Sequence, residues 1–424
     1  MASLSGRMLA IFSGTVLVVA AFSTGISFLF FLVYLGAILL AASWWYARRG
    51  LRGLKAGYHV VNPHAQVGDV LEAVYRVDNE SGSGKPWVEL SNDSTLPATL
   101  PGRAIGVAGK GSRQWVSKVT LIRRGSYRLG ALRVRTGDPF GLFSSEMVVG
   151  RPTWVVVYPR IYPLPHWQLP PSPVDGTAPS RRRYEAATPL VNTVRPYVHG
   201  DAINRIHWLT SVRHGELYVK EFDLEQTADL WLLLDLDRAA HAGAGGDASV
   251  ETAVSAAASI AIQTLSENRA VGLTVSARRQ QVLTPDRGTR VEQKILNLLA
   301  NVQADGSRPL AEVVHGALTQ LRRGMTLCIV TGSTDRDWVR ALASLRRRGV
   351  RAIVVLLDRA SFVGRDDDES RAELTAIRHA LAEYDIPHHL VKAGDNLSSA
   401  LGRAAIGGRT AARRAPAPRE PSRA

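Results

Sequence analysis

The first 45 residues set the strongest pattern in the chain. No charged residue occurs from Met8 to Trp45. A helix rises 1.5 Å per residue, so a bilayer core takes about 20 residues and this stretch is about twice one span. It predicts a pair of helices, roughly Met8 to Thr24 and Ile26 to Tyr46, turning near Gly25. Arg7 precedes the stretch, and Arg48, Arg49, Arg52 and Lys55 follow it. The bias of basic residues toward the cytoplasm then places both flanks there. Trp44, Trp45 and Tyr46 stand where an interfacial aromatic belt belongs. A cleaved signal peptide followed by one span fits less well. The run is too long, no small-residue cleavage site leads into a polar mature region, and basic residues follow directly.

From Gly57 to Pro159 the period shortens. Val60, Val70-Leu71, Val74 to Val77, Trp87 to Leu90, Trp115-Val116 and Leu132 to Arg135 alternate or carry β-branched residues, and Trp154 to Tyr158 adds a last run. Turn-forming residues separate them at intervals of about ten, a spacing that predicts a β-sandwich. Pro163 to Pro173 reads as an extended linker, and Ser180 to Tyr184 as a basic loop. From Thr227 the chain alternates between apolar runs and helical segments. The runs are Leu230 to Asp235, Val271 to Ser276, Thr326 to Val330, Ala352 to Leu357 and His388 to Val391. The helical segments are Ser249 to Glu267, Val291 to Val302, Leu310 to Leu321, Arg336 to Arg348 and Glu369 to Tyr384. Short buried strands separated by helices predict a doubly wound α/β domain with a parallel sheet. The expected organisation is a transmembrane helical hairpin (1–56), an Ig-like β-sandwich (57–160), a linker with a distinctive segment (161–226), an α/β domain (227–401) and an Arg-rich disordered tail (402–424).

Composition sharpens the choice of partner. The formal net charge is +15 with 46% hydrophobic residues. Such a charge favours anionic partners. The chain shows no groove-reading or base-stacking module, so anionic membrane lipids are expected and nucleic acid is not. The tail residues Arg403, Arg409, Arg413, Arg414, Arg419 and Arg423 are either a solvated terminus or a contact with the inner leaflet. Such contact is worth about 1 kcal/mol per residue near the surface. The single cysteine, Cys328, sits inside an apolar run and reads as core. It allows no intrachain disulfide and suits a reducing compartment.

Thr193 to Phe222 reads TVRPYVHGDAINRIHWLTSVRHGELYVKEF. With Arg124-Gly-Ser-Tyr-Arg-Leu-Gly130, Gly137-Asp-Pro-Phe-Gly-Leu-Phe143 and Tyr158-Pro-Arg160, it resembles a bacterial family known as domain of unknown function 58. The matching positions are Arg195, Tyr197, Gly200, Asp201, Arg205, Ile206, Trp208, Arg213, Gly215, Leu217 and Lys220. The resemblance extends from the helical pair to about Leu401. It implies paired N-terminal spans, a β-sandwich and a von Willebrand factor A-like domain. It also implies the company of a MoxR-type AAA+ ATPase and a transglutaminase-like membrane protein, a chaperone-like or assembly role, and no established catalytic activity. Read on its own chemistry, the segment is local architecture. Gly200 permits a turn, Asp201 caps a helix and pairs with Arg205 four residues on, Trp208 covers a sheet, and Gly215 stops the helix in the left-handed region. Glu216 to Phe222 then forms a strand. It serves either as a buttress between domains or as a cationic surface of Arg195, Arg205, Arg213 and Lys220 for an acidic partner.

The same resemblance raises a metal site at the carboxyl ends of the strands, where ligands bind in such sheets. The von Willebrand A-type site uses Asp-x-Ser-x-Ser, then a Thr and an Asp from two further loops, an oxygen set suited to Mg²⁺. Here the first loop is Asp235-Leu-Asp237-Arg238-Ala239, so Asp replaces one Ser and Ala the other. Ser307 stands where the Thr is expected and Thr331 where the Asp is expected, with Asp335 as a substitute carboxylate. Asp235, Asp237, Ser307 and Thr331 thus form a degenerate set, and Asp235 and Asp237 can instead pair with Arg238 or cap a helix. No resident cofactor is expected beyond that Mg²⁺ candidate. Gly84-Lys85 lacks the upstream Gly of a P-loop. His388 and His389 point to opposite sides of a strand and read as a half-exposed edge. His199, His207 and His214 lack a nucleophile arrangement. Asp366 to Glu369 favours a helix dipole. The chain is therefore expected to be a membrane-anchored, non-catalytic scaffold of the inner membrane, with two spans and cytoplasmic domains. A Mg²⁺-dependent ligand-binding module is the first alternative and a hydrolase the second.

Overall fold

The computed structural model describes residues 4–169, 191–198, 206–222, 229–364 and 367–407. The chain divides into two units, Met1–Ile161 with Gln293–Val302, and Tyr162–Glu292 with Gln303–Ala424.

The first unit opens with α1 (Leu4–Thr24) and α2 (Ser27–Gly50). Their sequence-predicted joint at Gly25 is where the helices part, and the Phe22 and Phe30 rings meet edge to face across it, centroids 5.2 Å apart. α2 is long and apolar enough to cross a membrane; the apolar part of α1, Phe12–Thr24, is shorter. Phe28, Phe31, Ile38, Trp44 and Trp45 are exposed, which in water would forfeit the hydrophobic effect.

Nine strands follow: β1 (Leu54–Val60), β2 (His64–Gln66), β3 (Val70–Asn79), β4 (Lys85–Ser94), β5 (Arg103–Val107), β6 (Ser112–Thr120), β7 (Gly125–Gly137), β8 (Ser144–Val149) and β9 (Thr153–Tyr158). One sheet has the order β1-β3-β6; the other runs β2-β9-β7-β4-β5 with β8 also on β7. Apart from the parallel β2–β9 pair, neighbours are antiparallel. Alternation sends Ala73, Tyr75 and Val77 of the first sheet and Val88, Leu90, Leu132 and Val134 of the second into one shared core. Within this unit the buried Arg124 donates from Nε to the Leu299 carbonyl (3.1 Å) and from Nη2 to the Val302 carbonyl (2.7 Å).

The second unit contains β10 (Val191–Pro196), α3 (Trp208–His214), β11 (Tyr218–Phe222), β12 (Leu230–Asp235), α4 (Ser249–Ser266), β13 (Val271–Ser276) and β14 (Gln280–Asp286). It continues through α5 (Thr289–Asn301), whose later residues group with the first unit, then α6 (Leu310–Ala317), β15 (Thr326–Thr331), α7 (Asp337–Arg347), β16 (Arg351–Leu357), α8 (Asp368–Glu383), β17 (His388–Val391) and α9 (Leu397–Gly402). β10 and β11 form a separate antiparallel pair. The main sheet has the order β14-β13-β12-β15-β16-β17 and is parallel except for β14. β12, β13 and β15 are buried at every position, as continuous apolar runs require when both faces are covered. Trp231, Leu233, Leu327 and Ile329 share a core with α6, α7 and α8 through Val313, Trp338, Leu342 and Leu381.

Several local expectations change. β14 is an antiparallel edge strand that the apolar pattern does not announce, because its side chains are mostly exposed and Pro285 sits in it. The helix expected to reach Leu321 ends at Ala317. His388 and His389 are buried rather than half-exposed. Ile406 exchanges backbone hydrogen bonds with His388, and the Trp167 ring lies 5.1 Å from the His389 ring. The proline-rich stretch is not a free linker over its described part: Leu164 and Trp167 are buried, and Ser398 Oγ donates to the Pro163 carbonyl (2.6 Å). Ser180 to Tyr184 and the arginines from Arg409 onward lie outside the described residues.

Candidate functional site

The parallel sheet ends where β12 and β15 lie side by side, and this juxtaposition brings two of the four candidate ligands into contact. Asp235 is the last residue of β12 and Thr331 the last of β15; both are fully buried. Thr331 Oγ1 donates to Asp235 Oδ2 (2.6 Å), and the Asp237 backbone N–H donates to Asp235 Oδ1 (3.0 Å). Thr331 Oγ1 also accepts from the Ser333 N–H (2.9 Å). Burial pushes the Asp235 carboxyl up to about 6. The bonds from Thr331 and Asp237 work against that rise, and the nearby Asp237 charge adds to it.

The loop after β12 is pinned from two directions. His241 Nε2 donates to the Asp235 carbonyl (2.8 Å), while its Nδ1 meets Ser249 Oγ (3.1 Å). Asp237 pairs with Gly306 as an isolated bridge, which brings the Ser307 loop to the same strand end. Asp237 itself turns to cap the next turn, accepting from the Ala239 N–H (3.2 Å), and Ser307 is exposed. Arg238 is exposed beside them, and Arg359 Nη1 donates to the Ala239 carbonyl (2.6 Å). Asp335 accepts from the Asp337 N–H (3.1 Å) at the start of α7, so the substitute carboxylate serves as a cap. As a hard-cation site the set is thus partial: Asp235 and Thr331 converge on each other, and the remaining oxygens are committed or turned to solvent. Among the described residues no group of three or more His, Cys, Asp and Glu could hold a metal ion.

Sequence reasoning missed His241. Its signal was only a histidine six residues beyond the strand-end aspartate, indistinguishable from a surface residue. Burial raises the Cys328 thiol pKa, in keeping with a core role.

The distinctive segment is described in part. Gly200, Asp201 and Arg205 lie outside the described residues. β10 and β11 set Val194 opposite Lys220 and Arg195 opposite Val219, and the Tyr197 N–H donates to the Leu217 carbonyl (2.7 Å). Gly215 ends α3 at φ +71°, as expected of a left-handed stop. Arg213 is exposed on the last turn. Trp208 does not cover a sheet: it is 61% exposed, beside Leu209 at 64% and with Val212 at 81% one turn on. At the start of α3, His207 Nδ1 accepts from the Thr210 N–H (3.2 Å), a capping role unseen in the sequence.

Comparison with known proteins gives a relative and several faint structural likenesses. The chain is 25% identical over 221 residues to the uncharacterized protein YeaD of Bacillus subtilis (strain 168), covering 52% of this chain and 54% of that protein. It therefore spans about half the length of this curated relative. Among solved structures, a CARDB domain from Pyrococcus furiosus is similar to 24% of this chain over 86% of its own, with 16% identity and a TM-score of 0.19. Proximal thread matrix protein 1 from the mussel byssus matches 42% of this chain over 46% of its own, with 13% identity and a TM-score of 0.29. Residues 193–362, which hold both the distinctive segment and the Asp235 strand end, match the family model described as Protein of unknown function DUF58.

Proposed function

We propose that the chain is a membrane-anchored, non-catalytic interaction scaffold. In this reading α1 and α2 form a two-span hairpin in the inner membrane, and the basic residues after α2 keep the following units in the cytoplasm. The β-rich unit is an Ig-like sandwich, and the α/β unit is a doubly wound von Willebrand factor A-like domain. The sheet order, with one antiparallel edge strand, supports that assignment. A MoxR-type AAA+ ATPase and a transglutaminase-like membrane protein are the partners, and protein-complex or envelope assembly is the process. The observation that carries the non-catalytic part is the closed strand end. Asp235 and Thr331 are fully buried and bonded to each other and to the Asp237 and Ser333 amides, so the hydroxyl–carboxylate pair there is closed to a substrate. Co-purification from mild detergent tests the reading. The ATPase is expected at constant stoichiometry through successive columns, and repeated isolation of the chain alone defeats it.

A second reading is Mg²⁺-dependent capture of an acidic ligand. It is favoured by the convergence of Asp235 and Thr331, with the Asp237 and Ser307 loops joined beside them. Titration calorimetry with Mg²⁺ or Mn²⁺ decides it. Heat that disappears in Asp235→Ala supports metal binding, and no heat in the parent chain removes the reading.

A further inference from the structure

Gly137-Asp-Pro-Phe-Gly-Leu-Phe143 connects β7 to β8, and it is built as a rigid mount for one exposed aromatic side chain. Asp138 is buried, with 6% of its surface exposed. Its Oδ1 accepts from the Phe143 N–H (2.6 Å) and its Oδ2 from the Phe140 N–H (3.0 Å). The loop closes on itself through Asp138 N–H to the Phe143 carbonyl (3.1 Å) and Gly141 N–H to the Asp138 carbonyl (3.1 Å). Out of this cage Phe140 projects with 63% of its surface exposed. A loop tied by four hydrogen bonds holds that ring out against the hydrophobic effect.

Thr136, immediately before the loop, connects it to the end of α2. A Cβ added to Gly50, the last residue of α2, would collide with the Thr136 methyl group, so the helix end and strand end are in close contact. Thr136 Oγ1 donates to the Trp87 carbonyl (2.7 Å), and the Trp87 ring lies against Gly137. Lys85 Nζ donates to the Arg49 carbonyl (3.1 Å), a second tie between the last turn of α2 and the strands. That same stretch of α2 carries the interfacial set. Trp44 and Trp45 are exposed, with the Arg48 guanidinium 5.1 Å from the Trp44 ring centre and that of Arg49 4.5 Å from the Trp45 ring centre. Aromatic rings with adjacent arginines suit the headgroup level of a bilayer.

We propose that Phe140 is a membrane-interface wedge: the 138–143 loop sets it into the same bilayer surface that holds α2, so that helix and loop fix the β-rich unit at two points. This rests on the reading of α2 as a membrane anchor. A single helix leaves a domain free to swivel about its tether; a second, rigidly mounted contact beside it sets the orientation.

The test uses the full chain in nanodiscs of phosphatidylcholine with phosphatidylglycerol. Phe140→Cys, Ile38→Cys in α2 and Ile122→Cys at an exposed position between β6 and β7, beyond the opposite end of β7 from the loop, are each labelled with an environment-sensitive fluorophore. The parent chain, whose Cys328 is buried, serves as the labelling blank. Quenching is read with lipids carrying nitroxides at headgroup or mid-chain depth. The Phe140→Cys label is expected to be blue-shifted and strongly quenched by the shallow nitroxide, with Ile38→Cys quenched by the deep one and Ile122→Cys by neither. If Ile38→Cys is quenched while Phe140→Cys matches Ile122→Cys, the wedge is wrong and the anchor stands; the loop then faces water or a protein. If none is quenched, both the anchor and the wedge fall.

Discussion

Asp138 and Asp235 are buried carboxylates in different units, and their partners explain why they do different work. Asp138 accepts two backbone N–H groups of its own loop, within five residues. Asp235 accepts one local N–H and a hydroxyl from Thr331, 96 residues away on the neighbouring strand. The first arrangement fixes a loop and points its effect outward, at Phe140. The second ties two strands together and keeps its charge inside, where burial holds the carboxyl at about 6. Burial alone therefore does not mark a carboxylate as a site; the origin of its donors separates a loop staple from a strand-end lock.

The largest effect expected from this contrast is at Thr331. Thr331→Val keeps the shape but leaves Asp235 Oδ2 buried without its donor and removes the acceptor of the part-buried Ser333 N–H, a loss on the order of 3 kcal/mol. Denaturant unfolding of the full chain in micelles, with hydrogen exchange at β12 and β15, measures it; a loss below that of Asp138→Asn would break the comparison.

Next comes pH. The folded Asp235 binds its proton more tightly than the unfolded chain does. Its contribution is therefore fully present below about pH 4 and lost as pH rises through about 6. Asp235→Asn stays neutral, and its amide can donate to Thr331, whose hydroxyl rotates to accept. The stability of the variant relative to the parent should rise between about pH 4 and 7, by roughly 2 kcal/mol. His389 acts in the opposite sense, since burial lowers it to about 4: its contribution is present above its ordinary value of 6.5 and lost as pH falls toward 4. Only the difference between variant and parent isolates Asp235, and a flat difference curve contradicts the lock.

Asp138→Asn should cost about 1 kcal/mol, because one acceptor survives and the freed N–H is near water. Faster exchange at the Phe140 or Phe143 amide, confined to the loop, is the expected signature; global loosening would argue against a local staple. The smallest effect belongs to Phe140→Ala, which should change stability in micelles by less than about 0.5 kcal/mol, since an exposed ring contributes little to the fold. A loss above that, seen in the same unfolding curves, would mean the ring packs inward.

These contrasts also show how far the sequence was readable. The runs at β12 and β15 announced themselves because strands covered on both faces must be apolar throughout. β14 did not, because an exposed edge strand carries polar side chains. The Asp235 and Thr331 loops could be named from the resemblance, but no local pattern records a bond across 96 residues. Gly137 to Phe143 stood out as a motif, whereas the cage formed by Asp138 depends on backbone geometry. His388 and His389 were misread because Ile406 and Trp167, which cover them, approach from distant segments.

Cross-linking in intact cells followed by isolation from carbonate-washed membranes tests the proposed anchored scaffold most directly. An anchored scaffold stays with the membrane and carries one AAA+ ATPase at constant ratio. Release by carbonate, or recovery without that ATPase across repeated preparations, would contradict it.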